Sequence, residues 1–502
     1  MMGGFFRERK YYRLHEISKE LDTSPEKTRR LVGILKKYGI VKTVKSSKPE
    51  YEDLSSQDII LADIEETGID AVYLFDFVGI VVIEDCVFKC YPKYIDSTAK
   101  PLQQLRQVLK VIKKYNDKEQ LVYLYNGDGE NRIFNRLAVS LYLLENYFQY
   151  GIYTNQQEII ETNGNGEILW DKTIHETFAL IQKNRPYYVE LQTQGTVENE
   201  TDYIRRLHEC VLTQCTKELR KTDVLELFDI AEVELTTADL DDFGDTDYIQ
   251  YRIERELKTQ FVTKKRTVLK TIYAYISNIR MEQENLQYSL YGTNSFNLIW
   301  EKVCADNFGD MRHRQLSELP TRLSEEYAAR RNEKLLQIID HPIWHGNSPD
   351  ILDDNADTLK PDILCIYPVR ESKEYCFAIY DAKYYCIHFE KKDKGYRIAG
   401  QPGIQDIVKQ YLYRFAYDDF IEKQGYQYVQ NMYLCPHEGE GQDFGWVELT
   451  MLGMIGGKKL GSIGVVKLCA EEMFEIYLQG RTIENIAEYI PQVFEIPKGA
   501  ES

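Results

Sequence analysis

The sequence predicts a multidomain α+β protein, on three observations. Its 502 residues correspond to about three domains at roughly 100–200 residues per domain. Hydrophobic residues make up 43% and charged residues 28%, a composition that can fill several cores and is not typical of a disordered chain. Strand and helix patterns alternate over most of the length, with a mostly helical stretch near its middle. We therefore expect four segments, at 1–52, 60–200, 201–290 and 291–502.

The first segment is basic and predicts two helices followed by a strand. Residues 1–50 hold 13 Lys and Arg against 6 Asp and Glu, a balance of +7 in a chain of net charge −18. Leu14, Ile17 and Leu21 give the first helix an apolar face. Ser24-Pro25-Glu26 supplies an N-cap, a first-turn proline and a first-turn acid for the second helix, which Gly39 ends. With the alternating "IVKTVK" after it, this order is typical of a winged helix-turn-helix.

The cations of the second helix predict contacts with DNA phosphates or base edges. A helical protein-interaction module with a solvated basic face is the alternative, and the agreement of charge with pattern favours DNA. The strongly negative whole chain argues weakly against nucleic acid, but net charge averages over domains. The predicted DNA-binding residues are Lys27, Arg29, Arg30, Lys36 and Lys37.

The second segment predicts strands and then an amphipathic helix. Residues 51–60 are polar and suggest a linker. "AVYLFDFVGIVVIEDCVFKCYPKY" (Ala71–Tyr94) indicates β-strands, with a bend at Gly79 and a turn at Glu84-Asp85. "PLQQLRQVLKVIKKYN" (Pro101–Asn116) indicates a helix. Residues 201–290 follow as a helical connector.

Targeting and redox signals predict a cytoplasmic protein. The chain has no apolar run of membrane-spanning length and no signal-peptide pattern at its start. Its ten cysteines are scattered singly, which favours a reduced compartment over a disulfide scaffold or a structural zinc site. We expect no membrane partner.

The stretch "KPDILCIYPVRESKEYCFAIYDAKYY" (Lys360–Tyr385) carries the strongest chemical signal. Its two apolar runs, joined by a short charged turn, predict a β-hairpin. Asp362 opens the first strand and Asp381 ends the second, so antiparallel pairing makes them neighbours. Lys383 falls on the same face as Asp381, because side chains alternate with a period of two.

Two adjacent carboxylates repel each other unless a cation lies between them. Mg²⁺ prefers octahedral oxygen ligands, commonly one or two carboxylates together with substrate phosphate. The carbonyl of Ala382 can add another ligand. Lys383 can hold the attacking water or neutralise charge on the phosphate. Asp362, Asp381 and Lys383 therefore suit a metal-dependent hydrolysis of phosphodiesters.

Pro361-Asp362 followed by Asp381-Ala382-Lys383 resembles the PD-(D/E)xK nuclease motif, which implies a C-terminal α/β nuclease domain that uses Mg²⁺. The resemblance also implies a helix acid as a further metal ligand, and Glu301 on the predicted helix Ser295–Phe308 matches it. One subgroup has a Gln-containing helix beside the site. Gln410, on the predicted helix Asp406–Tyr417, matches that helix, which implies that it orients the site or the DNA backbone.

The middle of the chain resembles McrC-like proteins. "FVGIVVIEDCVFKCYPKY" (Phe77–Tyr94) is similar to a strand segment of that group, with Val78, Gly79, Ile80, Pro92 and Lys93 at the matching positions. With the basic N-terminal segment added, the whole chain resembles the LlaJI restriction endonuclease family. That likeness implies a McrC-like β/α middle region that docks a McrB-like AAA+ GTPase subunit, while the C-terminal domain cuts double-stranded DNA.

The chain itself lacks a nucleotide-binding loop. A Walker A loop needs GxxxxGK[ST], and "LGMIGGKKLG" (Leu452–Gly461) has Leu452 and Lys459 at required positions. GTP or ATP would act only through a partner chain. We expect a Mg²⁺-dependent endonuclease subunit of a prokaryotic restriction system, with a homodimer or higher assembly possible for double-strand cleavage. A DNA-binding regulatory protein with an inactive nuclease fold, and a repair nuclease of the same fold, are the alternatives.

Overall fold

The computed structural model describes residues 2–44, 71–97, 100–117, 125–126, 133–198, 202–221, 224–279, 288–345, 352–354, 358–370, 372–392, 395–452 and 460–491. It has a mixed α/β, multidomain architecture, which confirms the coarse fold class. Contacts divide the chain into two compact units. The first comprises Val82–Cys86 and Leu121–Tyr291, and the second comprises Met2–Val81, Val87–Gln120 and Gly292–Ser502. No helix among these described residues combines the length and apolar composition needed to cross a bilayer.

The N-terminal part contains two short helices beside a small antiparallel sheet. The elements up to residue 117 are β1 (Met2–Arg7), β2 (Tyr11–Arg13), α1 (Leu14–Leu21), α2 (Pro25–Lys37), β3 (Val41–Val44), β4 (Val72–Phe75), β5 (Val78–Ile83), β6 (Cys86–Tyr91) and α3 (Leu102–Asp117). One sheet has the order β2-β4-β3, and another begins β1-β6-β5. The strand between β2 and β3 therefore comes from beyond residue 52. The segment boundaries stay predictions, and the linker predicted at 51–60 lies outside the described residues.

The start and end of α2 follow from its sequence as predicted. Ser24 Oγ accepts a hydrogen bond from the backbone N–H of Lys27, and Pro25 is the first helical residue. The helix stops before Gly39, whose φ of +70° is a conformation that favours glycine. Leu31 and Leu35 are fully buried, which gives α2 the predicted apolar face.

Gly79, predicted as a bend, lies within a strand. It lies inside β5 with a φ of +142°, and the turn predicted at Glu84-Asp85 is confirmed, with Glu84 at φ +55°. A glycine within a strand often marks a close approach of two backbones. Here a Cβ added at Gly292 would lie 2.8 Å from Gly79 Cα, so Gly292 has no room for a side chain.

The first unit is built from small sheets and a set of helices. Its elements are β7 (Tyr125–Asn126), β8 (Ile133–Phe134), α4 (Arg136–Tyr150), β9 (Gln156–Thr162), β10 (Glu167–Ile168), α5 (Trp170–Glu176), β11 (Ala179–Gln182), β12 (Arg185–Tyr188), β13 (Gln192–Glu198), α6 (Tyr203–Lys221), α7 (Val224–Phe228), α8 (Thr246–Thr259) and α9 (Thr263–Ile279). The strands form sheets of order β10-β13-β9, β11-β12 and β7-β8. Helices α6 to α9 occupy most of the described residues between 202 and 279, and the helical connector predicted at 201–290 stays a prediction as a segment.

The remaining elements begin with β14, which spans the boundary between the two units, and continue with the part of the second unit that carries the predicted site. They are β14 (Tyr288–Thr293), α10 (Phe296–Asn307), α11 (Glu325–Ala328), β15 (Ile343–His345), β16 (Leu352–Asp354), β17 (Ile363–Pro368), β18 (Tyr375–Ala382), β19 (His388–Lys392), β20 (Gly395–Ala399), α12 (Ile404–Ala416), α13 (Asp418–Gln424), β21 (Tyr428–His437), β22 (Gln442–Val447), β23 (Ile463–Cys469) and α14 (Ala470–Gln479). Strand β14 completes the β1-β6-β5 sheet next to β5.

A five-stranded sheet of order β17-β18-β21-β23-β22 organises this part. Strands β18, β21 and β23 are parallel, and β17 and β22 are antiparallel edge strands. Phe377 and Ile379 of β18 pack in a buried cluster with Tyr417 and Phe420, which belong to the α12–α13 region. Because parallel strands end at the same edge, the carboxyl ends of β18, β21 and β23 lie together, and Asp381 lies at that edge.

Candidate active site

Asp362 and Asp381 are neighbours, as the hairpin pattern predicts. Strands β17 and β18 are antiparallel and pair Ile363 with Tyr380. Asp362 immediately precedes Ile363 and Asp381 immediately follows Tyr380, so the two aspartates lie side by side. The backbone N–H of Ala382 donates to Asp362 Oδ2 over 3.1 Å. The Asp381 residue is only 3% exposed. The two carboxyl groups therefore meet at the edge of the sheet with little access to water.

Lys383 reaches back to the aspartates. Its Nζ lies 2.9 Å from Asp381 Oδ2, which confirms that the two side chains share a face. The backbone N–H of Lys383 donates to the Leu434 carbonyl at 2.9 Å, which fixes the chain just after β18. The lysine is thereby held over the carboxylates by its backbone and by its charge.

Asp406 is a residue of this site that the sequence did not single out. Its Oδ1 lies 3.8 Å from Lys383 Nζ, and its Oδ2 accepts a hydrogen bond from Tyr385 Oη at 3.0 Å. It lies in the first turn of α12, where an acid is common because it complements the helix dipole. Because an acid is ordinary at this helical position, the sequence contains no sign that Asp406 lies near Lys383.

Charge and burial oppose each other at this edge. Burial, together with the hydrogen bond and negative charge of Asp381, raises the pKa of Asp362 well above its usual range. Burial lowers the pKa of Lys383, but Asp381 and Asp362 outweigh that effect and hold it above the usual value. The site therefore favours additional positive charge next to Asp362.

Glu301 faces the same region from α10. It lines a cavity of about 540 Å³ together with Asp362 and Arg312. Burial raises the pKa of Glu301, and the charges of Lys383 and Asp381 also act on it. In the described residues, however, no three His, Cys, Asp or Glu side chains lie close enough together to hold a metal ion. Glu301 is near the aspartates without forming a three-carboxylate set with them.

The donor atoms nevertheless suit a hard cation. Two adjoining carboxylates are oxygen donors of the kind that Mg²⁺ uses when water and phosphate complete its shell, and the backbone of Ala382, whose carbonyl is the further predicted ligand, is bound to Asp362 through its N–H. The raised pKa of Asp362 shows that its charged form lacks compensation. Asp362, Asp381 and Ala382 are thus the residues that could hold a divalent ion.

Gln410 lies against β18, the strand that ends in Asp381. It is fully buried, and its Nε2 donates to Asn431 Oδ1 at 2.7 Å and to the Ile379 carbonyl at 3.4 Å. These contacts brace β18 two residues before Asp381. They make Gln410 a residue that can position the site, and its predicted role in catalysis stays a prediction.

Asp310 and Arg312 also support the site and were missed by the sequence analysis. Arg312 donates to the Pro361 carbonyl at 2.8 Å and pairs with Asp310 at the same distance. Asp310 Oδ1 accepts from the backbone N–H of Leu364 at 3.1 Å. Together they hold the chain on both sides of Asp362. The loop that carries them shows no motif that would have revealed this.

The basic residues of α2 form a separate surface. Arg29, Arg30, Lys36 and Lys37 are exposed, and Lys27 is half-buried. The opposite face of the helix is buried through Leu31 and Leu35. The helix therefore presents its cations to solvent, as a DNA-contacting helix requires.

Comparison with known proteins decides the family. The sequence model of the LlaJI restriction endonuclease family matches residues 77–471, which is most of the chain. The chain belongs to the LlaJI restriction endonuclease family. This confirms the family expected from the sequence, and the aspartates and Lys383 lie inside the matched region.

The individual proteins and structures that resemble the chain share low sequence identity with it. The chain is 25% identical over 477 residues to the type II restriction enzyme BsuMI component YdjA of Bacillus subtilis (strain 168), covering 92% of this chain and 90% of that protein. A half-complex of Thermococcus gammatolerans McrB AAA+ hexamers with bound McrC is 12% identical, covering 95% of this chain and 99% of that chain, with a TM-score of 0.33. The McrBC complex of the same organism is 12% identical, covering 60% and 85%, with a TM-score of 0.23.

Proposed function

We propose that this member of the LlaJI family is the Mg²⁺-dependent endonuclease subunit of a restriction system and that its C-terminal α/β domain is a PD-(D/E)xK nuclease. One observation carries the proposal. Asp362, Asp381 and Lys383 converge at the carboxyl edge of a mixed sheet, with Lys383 Nζ 2.9 Å from Asp381. Family membership supplies the reaction class, and this cluster supplies groups suited to it.

In this proposal Asp362, Asp381 and the Ala382 carbonyl hold Mg²⁺, with Glu301 as a further acid nearby. The bound ion would supply Lewis-acid stabilisation of the phosphate and activate water. Lys383 orients the attacking water and offsets the charge that develops on the scissile phosphate. Asp406 keeps the ammonium of Lys383 at the site, and Gln410 keeps the strand in place.

The winged helix-turn-helix is proposed to bind double-stranded DNA through α2. The support is the exposed basic face of that helix in an otherwise acidic protein. DNA binding by this segment would offset the repulsion between the acidic body and the phosphates. It would also bring DNA to a nuclease that lacks a strongly basic overall charge.

An AAA+ GTPase resembling McrB is proposed as the partner, docking on the region 60–200. The chain's own sequence has no Walker A loop, so nucleotide hydrolysis needs another chain. The first unit exposes apolar side chains around the β11–β12 hairpin, with Phe178 95% and Ile181 76% exposed. Exposed apolar patches of this kind commonly mark protein interfaces. The B. subtilis relative is itself described as a component of an enzyme.

The proposed function is tested with the full chain and the NTPase encoded by its neighbouring gene. We expect supercoiled plasmid to be cut in Mg²⁺ when both proteins and nucleotide are present, with little cutting by either protein alone. Substitution of Phe178 and Ile181 by Asp should abolish the stimulation while retaining DNA binding. DNA binding without cleavage under every condition would instead support a regulatory protein with an inactive nuclease fold.

A further inference from the structure

Lys467 occupies the same edge and the same face of the sheet as the proposed catalytic residues. The parallel register pairs Asp381 of β18 with Tyr433 of β21, and Cys435 of β21 with Lys467 of β23. Lys467 therefore lies two residues further along its strand than the position level with Asp381, and it is level with Lys383. Paired residues on adjacent parallel strands project to one face, so these side chains share a face.

The lateral separation suits a site beside the catalytic centre. Two strand spacings place the backbone of Lys467 about 10 Å from that of Lys383. Charges recur about every 3.4 Å of axis along one DNA strand, so this distance reaches past the scissile phosphate to one a few nucleotides away. The electrostatic environment agrees: burial raises the pKa of the intervening Cys435 thiol, and Lys467 and Asp381 both act on it.

Lys467 is a cation without a carboxylate partner. Within the described part of the chain it forms no ion pair, and its Nζ lies 4.5 Å from the centre of the Phe444 ring. Phe444 in turn stacks on Phe389 at 4.8 Å. Such a cation–π contact positions the ammonium without neutralising it. Burial lowers the pKa of Lys467, which indicates a half-desolvated charge that lacks compensation.

The surrounding cleft is able to accept an anion. Lys467 lines a cavity of about 620 Å³ with other cations, among them Lys93, and with four carboxylates. Among the described residues, none of those carboxylates forms an ion pair with Lys467, and each contacts another group. The contacts are Glu8 with Tyr384 Oη, Asp96 with Arg7, Glu390 with His388, and Glu438 with the backbone N–H groups of Asp96 and Ser97.

We infer that Lys467 binds a backbone phosphate of the DNA strand a few nucleotides from the scissile phosphodiester. The inference rests on the proposed nuclease function and adds to it a residue that positions the substrate. A purely structural lysine that is half-buried would be expected to pair with an acid, and within the described residues Lys467 does not. A ligand that matches the charge and position of Lys467 is a phosphate of the same DNA strand whose scissile phosphate reaches Asp381.

The test measures duplex binding by the full chain across a series of salt concentrations. All proteins carry Asp381→Ala, so that the fluorescently labelled DNA stays intact. The parent is compared with Lys467→Ala, Lys467→Arg and Lys373→Ala. Lys373 is a matched control because it is exposed and lies in the β17–β18 turn, at the opposite end of β18 from Asp381.

We expect Lys467→Ala to weaken binding and to lower the slope of log K against log salt by about one, the loss of a single phosphate contact. Lys467→Arg should retain the slope, and Lys373→Ala should behave as the parent. Equal slopes and affinities for Lys467→Ala and Lys373→Ala, with a parent that binds DNA, would overturn this inference and leave the nuclease proposal standing. A parent that binds no duplex would count against both.

Discussion

Asp362 lies against the end of the neighbouring strand, where its Oδ2 accepts the backbone N–H of Ala382, the residue that follows Asp381. The two aspartates are thus fixed side by side by the sheet itself. Repulsion between them is built into the fold and needs a cation for relief. We therefore expect the stability of the protein to depend on pH and, through the proposed Mg²⁺ site, on metal.

The first prediction concerns Asp362 in metal-free protein. Burial and Asp381 raise its folded-state pKa, so the folded protein binds this proton more tightly than the unfolded chain. The resulting stability is fully present below the unfolded pKa near 4 and is lost as pH rises toward the raised folded pKa. In EDTA, Asp362→Asn should therefore raise Tm at pH 8 and leave it nearly unchanged at pH 4.

Its control is Asp171→Asn, an exposed aspartate of the first unit. That variant should melt like the wild type at both pH values. Mg²⁺ should raise the Tm of the wild type more than that of Asp362→Asn, because a bound ion stabilises the folded state only where its ligands remain. An Asp362→Asn protein that is less stable than wild type at pH 8 in EDTA would contradict the account.

The second prediction separates positioning from catalysis at Gln410. Gln410→Met removes the donor to Asn431 and to the Ile379 carbonyl, which leaves buried polar groups unsatisfied. We expect a loss of about 1–3 kcal/mol in stability, seen as a lower Tm, together with slower cleavage. Cleavage should recover in part when the assay temperature is lowered. Unchanged Tm with abolished cleavage would indicate direct contact of Gln410 with substrate.

The third prediction concerns a buried ion pair next to the site. Arg414 Nη1 lies 3.0 Å from Asp418 Oδ1, with side chains 4% and 12% exposed. Arg414→Met should destabilise the protein by about 3–5 kcal/mol, because it removes the cation of a buried ion pair and leaves the buried carboxylate of Asp418 in place. Arg330→Met, which breaks a half-exposed pair with Glu333, should cost at most about 1 kcal/mol. Similar melting temperatures for the two variants would refute this ranking.

The fourth prediction tests the N-terminal helix. Arg29→Ala combined with Lys36→Ala should weaken duplex binding about equally for unrelated sequences if these side chains contact phosphates, and should lower the salt slope by about two. Cleavage by the complete system should fall at high salt more than at low salt. As a control, Lys334→Ala removes an exposed cation from the second unit without touching α2. Binding that depends only on the C-terminal domain would leave all these measurements unchanged.

The local parts of the fold and the site were predictable from the sequence. Asp362, Asp381 and Lys383 could be placed together because a hairpin has a period of two and its ends must meet. The capped helix α2 was predictable for the same reason, since Ser24, Pro25 and Gly39 act on their immediate neighbours. Where geometry is set within about twenty residues, the pattern was sufficient.

The site residues that could not be predicted are brought into place by segments distant in the sequence. Arg312 supports Asp362 through the carbonyl of Pro361, and Asp406 reaches Lys383 only because α12 packs beside β18. Lys467 lies at the same sheet edge as Asp381 because β23 lies between β21 and β22, an order that does not follow the chain. Tertiary pairing of this kind leaves no local pattern, so these residues look like ordinary charged positions in the sequence.

The measurement that tests the central claim most directly is the single-turnover rate of plasmid cleavage by the complete partner complex. It compares wild type with Asp381→Ala, in Mg²⁺ and in EDTA, after both proteins are shown to have the same circular dichroism spectrum. We expect the wild-type complex to cleave in Mg²⁺ and not in EDTA. In Mg²⁺, the cleavage rate of Asp381→Ala should be lower by at least about 10²–10³-fold, comparable to removing a principal stabiliser of the transition state. Equal rates for the two proteins, or full activity in EDTA, would contradict an active site built on Asp362 and Asp381.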